Sequence, residues 1–444
     1  MLCLRSEMYL LIVLGLWGSG AVVWGSHKVP QHVGWPQWRG PARDNKSDYQ
    51  GLNKNWEAHP PRLLGRVEGL GKGYASVSLS QNRLFTTGNT GKGQAVICVD
   101  LDQRKVAWTQ LLTKEDPKHG WDGSRCTPTL DDGLLYVVTS DGSVACLQQD
   151  TGDVVWRRDF RDWSGRMMSG WGFSESPLVD GDRVLVTPGG EQAMIVCLNK
   201  KDGREIWRTA MKDPGGPGRP GAGYSSIVMS HAAGTKQYVQ LVGRGAIGVR
   251  ADDGHLLWTY QRVANGTANI PTPLTQGDYV FVSTGYKDGG SALLKIQRDQ
   301  DHFNAEEVYY HPADELQNHH GQMVMVGDYI YMGHGHNRGF PVCVEWKTGK
   351  VMWNAARESR NIGDGSAAIT FVDGHLIFRY QSGPVALIEA TPEEFRFKGA
   401  FTPVSVEGMA WSHPVVVAGK LYLRDQNTLM IYDVSAQGSA SHNN

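Results

Sequence analysis

The sequence predicts an all-β protein, an eight-bladed β-propeller of four-stranded blades, and three observations lead there. First, a Gly followed four residues later by Trp recurs at Gly152–Trp156, Gly203–Trp207, Gly254–Trp258 and Gly349–Trp353. Trp108 keeps the register with Arg104 in the glycine's place, and the spacing of roughly 50 residues, doubled once across a degenerate copy near Glu306 to Tyr309, is that of a repeat architecture. Second, a separate series of hairpin turns falls at Gln81-Asn82, Asp132-Gly133, Gly181-Asp182, Gly234-Thr235, Gly277-Asp278, Gly327-Asp328, Gly374-His375 and Gly419-Lys420, which makes eight units. Third, both ends of the repeat are incomplete. Leu429–Val434 is a third strand with no outer strand after it, and Arg62–Val67 is an apolar strand with no unit of its own. Pairing the two closes the ring and removes exposed edges.

Taken in order, the chain opens with Arg5 ahead of an apolar stretch from Tyr9 to Trp24 that ends among small residues, the layout of a secretory signal peptide. Residues 1–26 are read as that peptide, with cleavage best placed after Ala21. A retained membrane anchor is the rival reading, because Glu7 weakens the charged region and Trp24 is a poor neighbour for a cleavage site. The expected location is secreted or periplasmic, with no membrane span once the signal is removed. Residues 27–60 form an N-terminal cap segment, rich in Trp and Pro over Trp35 to Pro41. The propeller occupies 61–435, and 436–444 is a disordered tail. Each unit begins with a strand of small residues, such as Ala75-Ser76, Thr127-Pro128-Thr129 or Ser225-Ser226, as strands converging on an axis require.

Composition removes several classes. Lys+Arg 44 against Asp+Glu 45 leaves a formal charge of -1, so the field a general nucleic-acid binder needs is missing. Apart from Cys3, four of the five cysteines recur in one strand context, at Cys98, Cys146, Cys197 and Cys343. Equivalent positions in separate repeats cannot pair with one another, so they are expected as small buried hydrophobes. No adjacent Cys pair and no Cys-x-x-Cys-His occurs, which excludes a covalently attached c-type haem.

If strands alternate in direction, the loops leading into each first strand and the loops between second and third strands share a face, and function belongs there. That face gathers Tyr74, Trp171, Tyr224 and Trp411 between glycines, a funnel suited to a flat or carbohydrate-like ligand. Blade six adds His319 and His320 from one loop and His334 and His336 from the next, candidates for a metal or a general base. Their spacing matches no fixed metal motif.

The repeat resembles that of the quinoprotein alcohol dehydrogenase-like superfamily, the pyrroloquinoline-quinone (PQQ) repeat propellers, whose docking motif runs apolar-x-Asp-x-x-Thr-Gly-x-x-x-Trp. Asp150-Thr151-Gly152 to Trp156 and Lys347-Thr348-Gly349 to Trp353 are the nearest copies, and the likeness spans residues 60 to 435. Trp35-Pro36-Gln37-Trp38-Arg39-Gly40-Pro41 resembles a start common among secreted bacterial PQQ-like repeat proteins. The resemblance implies two functions: a dehydrogenase that oxidises alcohol or sugar hydroxyls with PQQ and calcium, or a non-catalytic scaffold similar to the outer-membrane assembly factor BamB that presents its loops to proteins or glycans. A metal-dependent hydrolase or lyase is a further alternative. For the dehydrogenase, the resemblance implies Glu175 and Asn269 as calcium ligands, and cations such as Arg125, Arg244 and Lys287 for the quinone carboxylates. His320 or His319 stands where the family has its Asp base, a departure from the pattern, and Asp314 is a poorer candidate. The ligand would be a small alcohol, sugar or polymer.

Overall fold

The computed structural model describes residues 34–436, so the expected signal peptide over 1–26 and the tail beyond 436 lie outside the described residues. Those residues form eight sheets of four or five strands, and their only helical turns are the short 3-10 segments Phe160–Trp163 and Ala232–Gly234. Blade one runs outward through Ser78–Ser80, Arg83–Asn89, Gln94–Asp100 and Lys105–Leu111. Its pattern recurs with innermost strands Thr129–Asp131, Leu178–Asp180, Val228–Ser230, Leu274–Gln276, Met323–Val326, Ala367–Val372 and Val415–Val417. The hairpins after these strands suit the two-residue turns that match strand twist, as at Asp132-Gly133, where φ is 49° and 77°.

The ring closes as the incomplete ends predict. Arg62–Glu68 is the outer strand of blade eight, antiparallel to Thr428–Asp433, with Leu63 opposite Tyr432 and Val67 opposite Leu429.

The Gly-Trp repeat is the joint between blades. Each turn glycine lies flat against the aromatic ring of the blade before it, so that a Cβ at Gly152, Gly203 or Gly254 would sit 2.8, 2.6 or 2.4 Å from Trp108, Trp156 or Trp207. The same indoles donate Nε1–H forward to backbone oxygens of the next blade, Trp108 to Gln149, Trp156 to Lys200, Trp207 to Ala251 and Trp353 to Thr391, at 2.8 to 3.2 Å. In the degenerate copy Tyr309 takes the role, its hydroxyl donating to Trp346 O at 2.9 Å, while a Cβ at Gly349 would meet its ring at 2.8 Å. Cys98, Cys146, Cys197 and Cys343 stand opposite the Trp in the neighbouring strand, buried and free. They fill the small space beneath a large ring.

Around the axis, the small polar residues link one blade to the next. The backbone N–H of Ser76 donates to Thr127 Oγ1, that of Thr127 to Ser176 Oγ and that of Ser176 to Ser226 Oγ, at 3.0 to 3.1 Å.

The segment from Gly34 to Ser47 crosses the axis at the hairpin end. Gly34–Trp35 pairs with Leu79–Ser80 of blade one, Pro36 O accepts from Leu130 N–H of blade two, and Arg43 donates to Ser176 O and Pro177 O of blade three. Trp38 reaches Thr272 of blade five, Arg39 donates to Met323 O of blade six, Lys46–Ser47 runs parallel to Phe371–Val372 of blade seven, and Ser47 bonds Val416 O of blade eight. The chain then packs Trp56 against Phe401 before entering the closing strand.

Candidate functional site

At the opposite end the leading loops surround an axial funnel of about 470 Å3. Its wall follows strand alternation. Ser174 and Ser176, Tyr224 and Ser226, Ala268, Ile270 and Thr272, His320 and Gln322, and Trp411 and His413 face it, while the residue between each pair turns into a blade. Larger rings line it above: Tyr74, Trp121 and Trp171, with Tyr286 from the loop between the second and third strands of blade five. Trp38, from the segment crossing below, is the floor, its Nε1 3.4 Å from Thr272 Oγ1 and its ring 4.7 Å from that of His413.

The rings brace one another at steep angles. Trp411 meets Tyr74 at 4.7 Å and 45°, Trp121 at 5.1 Å and 71°, and His320 at 4.9 Å and 66°. Trp171 meets Tyr224 at 5.8 Å and 61°, and the Tyr224 hydroxyl lies 2.7 Å from Ser169 Oγ. The wall is therefore a corrugated cup in which no two adjoining rings are parallel. Its amides have capacity to spare. Gln322 spends its Oε1 on Thr272 N–H and Gln381 its Oε1 on Trp411 Nε1, both at 2.7 Å, which leaves their NH2 groups for a ligand.

Three of the four blade-six histidines come together. The His319 ring centroid lies 4.1 Å from His320 and 4.3 Å from His336, with Tyr286 against both His319 and His336. His334 is not on the funnel wall, and its Nδ1 accepts from Gln317 N–H at 3.2 Å. Burial pushes the imidazoles of His320 and His413 down to about 3, and burial followed by the neighbouring rings pushes His319 further in the same direction. All three are neutral near pH 7. His319 Nδ1 lies 2.8 Å from Ser366 Oγ. Among the described residues, no group of three or more His, Cys, Asp or Glu side chains is disposed to hold a metal ion.

Of the other residues singled out in the sequence, Tyr74, Trp171, Tyr224, Trp411 and Arg125 meet at the funnel. Arg125 packs 5.6 Å from the Tyr74 ring centre and donates to the carbonyls of Gly120, Trp121 and Gly123. Glu175, Asn269, Arg244 and Lys287 do not reach the funnel wall, which corrects the expectation that they converge on the axis. The Glu175 carboxyl is buried beside Thr187 N at 2.6 Å, Thr187 Oγ1 at 2.9 Å and Gln240 Nε2 at 3.1 Å. Asn269 is fully buried, its Oδ1 accepting from Asn265 N–H at 3.0 Å and its Nδ2 donating to Val242 O and Gly243 O. Arg244 forms a two-pronged ion pair with Asp213 at 2.7 and 3.0 Å, and Lys287 is exposed. Trp38, Trp121, Tyr286, Gln322 and His413 were not among the candidate site residues. For Gln322 and His413 the signal was available, since each lies two residues beyond a ring that was.

A ring of blades joined by turn glycines and indoles, open at one end as an aromatic funnel, defines a propeller of the PQQ-repeat class. The chain belongs to the family whose profile is described as outer membrane protein assembly factor BamB, matched over residues 18–162 and 141–389. It is 23% identical over 250 residues to a polyvinylalcohol dehydrogenase of Pseudomonas sp, covering 48% of this chain and 38% of that protein. It is also 23% identical over 266 residues to an outer membrane protein assembly factor BamB of Shewanella oneidensis, covering 57% of this chain and 62% of that one. The matches thus span under two thirds of each relative's length. Among solved structures, the fold is shared with BamB from Moraxella catarrhalis, at TM-score 0.58 and 14% identity over 84% of this chain and 99% of that one. It is shared also with quinohemoprotein alcohol dehydrogenase from Comamonas testosteroni, at TM-score 0.64 and 12% identity over 91% and 81%.

The calcium and quinone implied by the resemblance do not fit this donor set. A hard cation needs several oxygen ligands around one point. Glu175 and Asn269 are each saturated inside separate blades, and no carboxylate lines the funnel. Three quinone carboxylates would find Arg125 as their one Lys or Arg partner on the wall, already spent on backbone carbonyls.

Proposed function

We propose that this chain is an exported binding propeller that takes an uncharged, hydroxyl-rich ligand in its axial funnel. The observation that carries this reading is the make-up of the wall: aromatic rings interleaved with hydroxyls, amides and neutral imidazoles, no carboxylate, and one cation, Arg125, whose guanidinium is occupied by backbone carbonyls. Sugars and polyols present C–H faces that pack on aromatic rings, ringed by hydroxyls that need donors and acceptors at the rim. The NH2 groups of Gln322 and Gln381 and the hydroxyl of Tyr286 supply them. Burial first, with the nearby Tyr224 second, holds the Tyr286 phenol protonated by pushing it up to about 12. Export rests on the apolar run from Tyr9 to Trp24, which N-terminal sequencing of the extracytoplasmic protein tests.

The binding test is calorimetry on the purified protein, with linear neutral oligosaccharides and short vinyl alcohol oligomers in one arm and PQQ with calcium in the other. Saturable binding of a neutral ligand, unchanged by chelator, is expected. Calcium-dependent capture of PQQ together with dye-linked oxidation of an alcohol would replace this reading with the dehydrogenase.

A further inference from the structure

The binding reading leaves open whether a chain passes through the ring or stops inside it, and the crossing segment bears on that. Gly34 to Ser47 occupies the axis below the funnel and is tied by hydrogen bonds to blades one, two, three, five, six, seven and eight. Trp35, Arg39, Gly40, Arg43 and Asn45 are all buried there. At Gly40, where φ is +82°, a Cβ would lie 3.1 Å from the Trp35 indole, so the turn is folded tightly on itself. In the middle of this plug, Trp38 is only partly buried, and what it exposes is the funnel floor.

We propose that the funnel is a dead end that accepts only the terminus of a hydroxyl-rich chain, and that Trp38 is the residue that reads it. The inference rests on the binding reading above. The Trp38 indole is held by two contacts from blades three positions apart around the ring, Thr272 of blade five and the His413 ring leading into blade eight. That fixes an apolar indole surface at the base of the channel, under a wall that supplies hydrogen-bonding groups from every side. A terminal ring lowered into the cup stacks on Trp38 while its free hydroxyls meet Gln322 and its neighbours. An internal segment would have to leave downward, through the plug.

The experiment compares maltohexaose with α-cyclodextrin, a ring of the same unit number with no end, and adds a vinyl alcohol oligomer to distinguish a glycan from a plain polyalcohol. On the wild-type protein, the linear sugar is expected to bind at least about tenfold tighter than the cyclic one, the equivalent of one lost stacking contact. Trp38→Ala should lose about tenfold for the linear ligand and leave the cyclic one unchanged, while Trp38→Phe keeps most of the affinity. Equal binding of linear and cyclic sugars overturns the dead-end assignment even if Trp38→Ala does not fold, because that comparison needs no variant. Undiminished binding by folded Trp38→Ala overturns the role of Trp38. If the polyalcohol alone binds, the assignment stands only when its stoichiometry counts chain ends and not chain length. If no neutral ligand binds at all, the binding reading fails and this inference with it, an outcome distinct from the other two.

Discussion

Glu175 is a carboxyl group kept from water, and its surroundings decide what it can be. Burial pushes its pKa up to about 8, against the pull of Thr187 and Arg43, so the folded chain holds a proton that the unfolded chain gives up near 4.5. A raised folded-state value means stability is fully present below pH 4.5 and is lost as pH rises toward 8. Between pH 5 and pH 8.5 this group should therefore lower the melting temperature of wild type relative to that of Glu175→Gln. Glu175→Gln is neutral throughout, so the stability difference between the two proteins should shift in favour of the variant by on the order of 2–4 kcal/mol across that range. Identical pH slopes for the two proteins would dispose of this account. His320 and His413 carry the opposite sign: their values are lowered by burial, so stability drains away as pH falls below the ordinary imidazole range. Residue type and loop position were enough to place Tyr74, Trp171 and Trp411 at the funnel, because rings among glycines on one face have nowhere else to go. They misled at Glu175 and Asn269. Each sits between two residues that do face the axis, Ser174 and Ser176 in one case and Ala268 and Ile270 in the other, so the period-2 rule turns each into a blade.

Between blades, the joint made by a turn glycine and the preceding indole carries two separable requirements, a left-handed backbone and an absent side chain. Gly203 needs both, with φ at +69° and Trp156 at 2.6 Å from any Cβ. Gly181 needs only the first, with φ at +59° and nothing within 4 Å. Gly181→Ala should thus cost about 1 kcal/mol, the price of the backbone alone, and Gly203→Ala about 2–4 kcal/mol, since the ring must also move. Urea denaturation of the two variants measures the difference, and equal losses would mean that the indole is not a rigid partner. This joint was legible because its two halves lie four residues apart and recur. The degenerate fifth copy was legible only as a gap, because Tyr309 keeps the hydrogen bond of the missing indole while the outer hairpin around it lengthens to Gly290–Asp299 and His302–Pro312.

For the whole ring, closure depends on strands from its two extremes. Removing residues 27–70 takes away both the closing strand and the plug, leaving Thr428–Asp433 with an open edge and the axis unfilled. Such a chain should lose most of its stability and expose an aggregation-prone edge, whereas an unchanged melting temperature would show that the seven complete blades suffice. The ring could be read from the sequence because unpaired strands at both ends demand each other. The path of the plug could not, since its grip is on backbone carbonyls such as Met323 O and Pro177 O, which every residue possesses and no pattern advertises. That arrangement also sets an order of events during synthesis. Arg62 bonds to Asp433, a partner 371 residues away, and Ser47 to Val416, 369 residues away, so the crossing segment and the closing strand complete their contacts only when the final blade has been made. Contacts of such range are slow to form and reward nothing until they close. The ring and its floor thus share one requirement, the final blade, and neither is complete in a chain that lacks it.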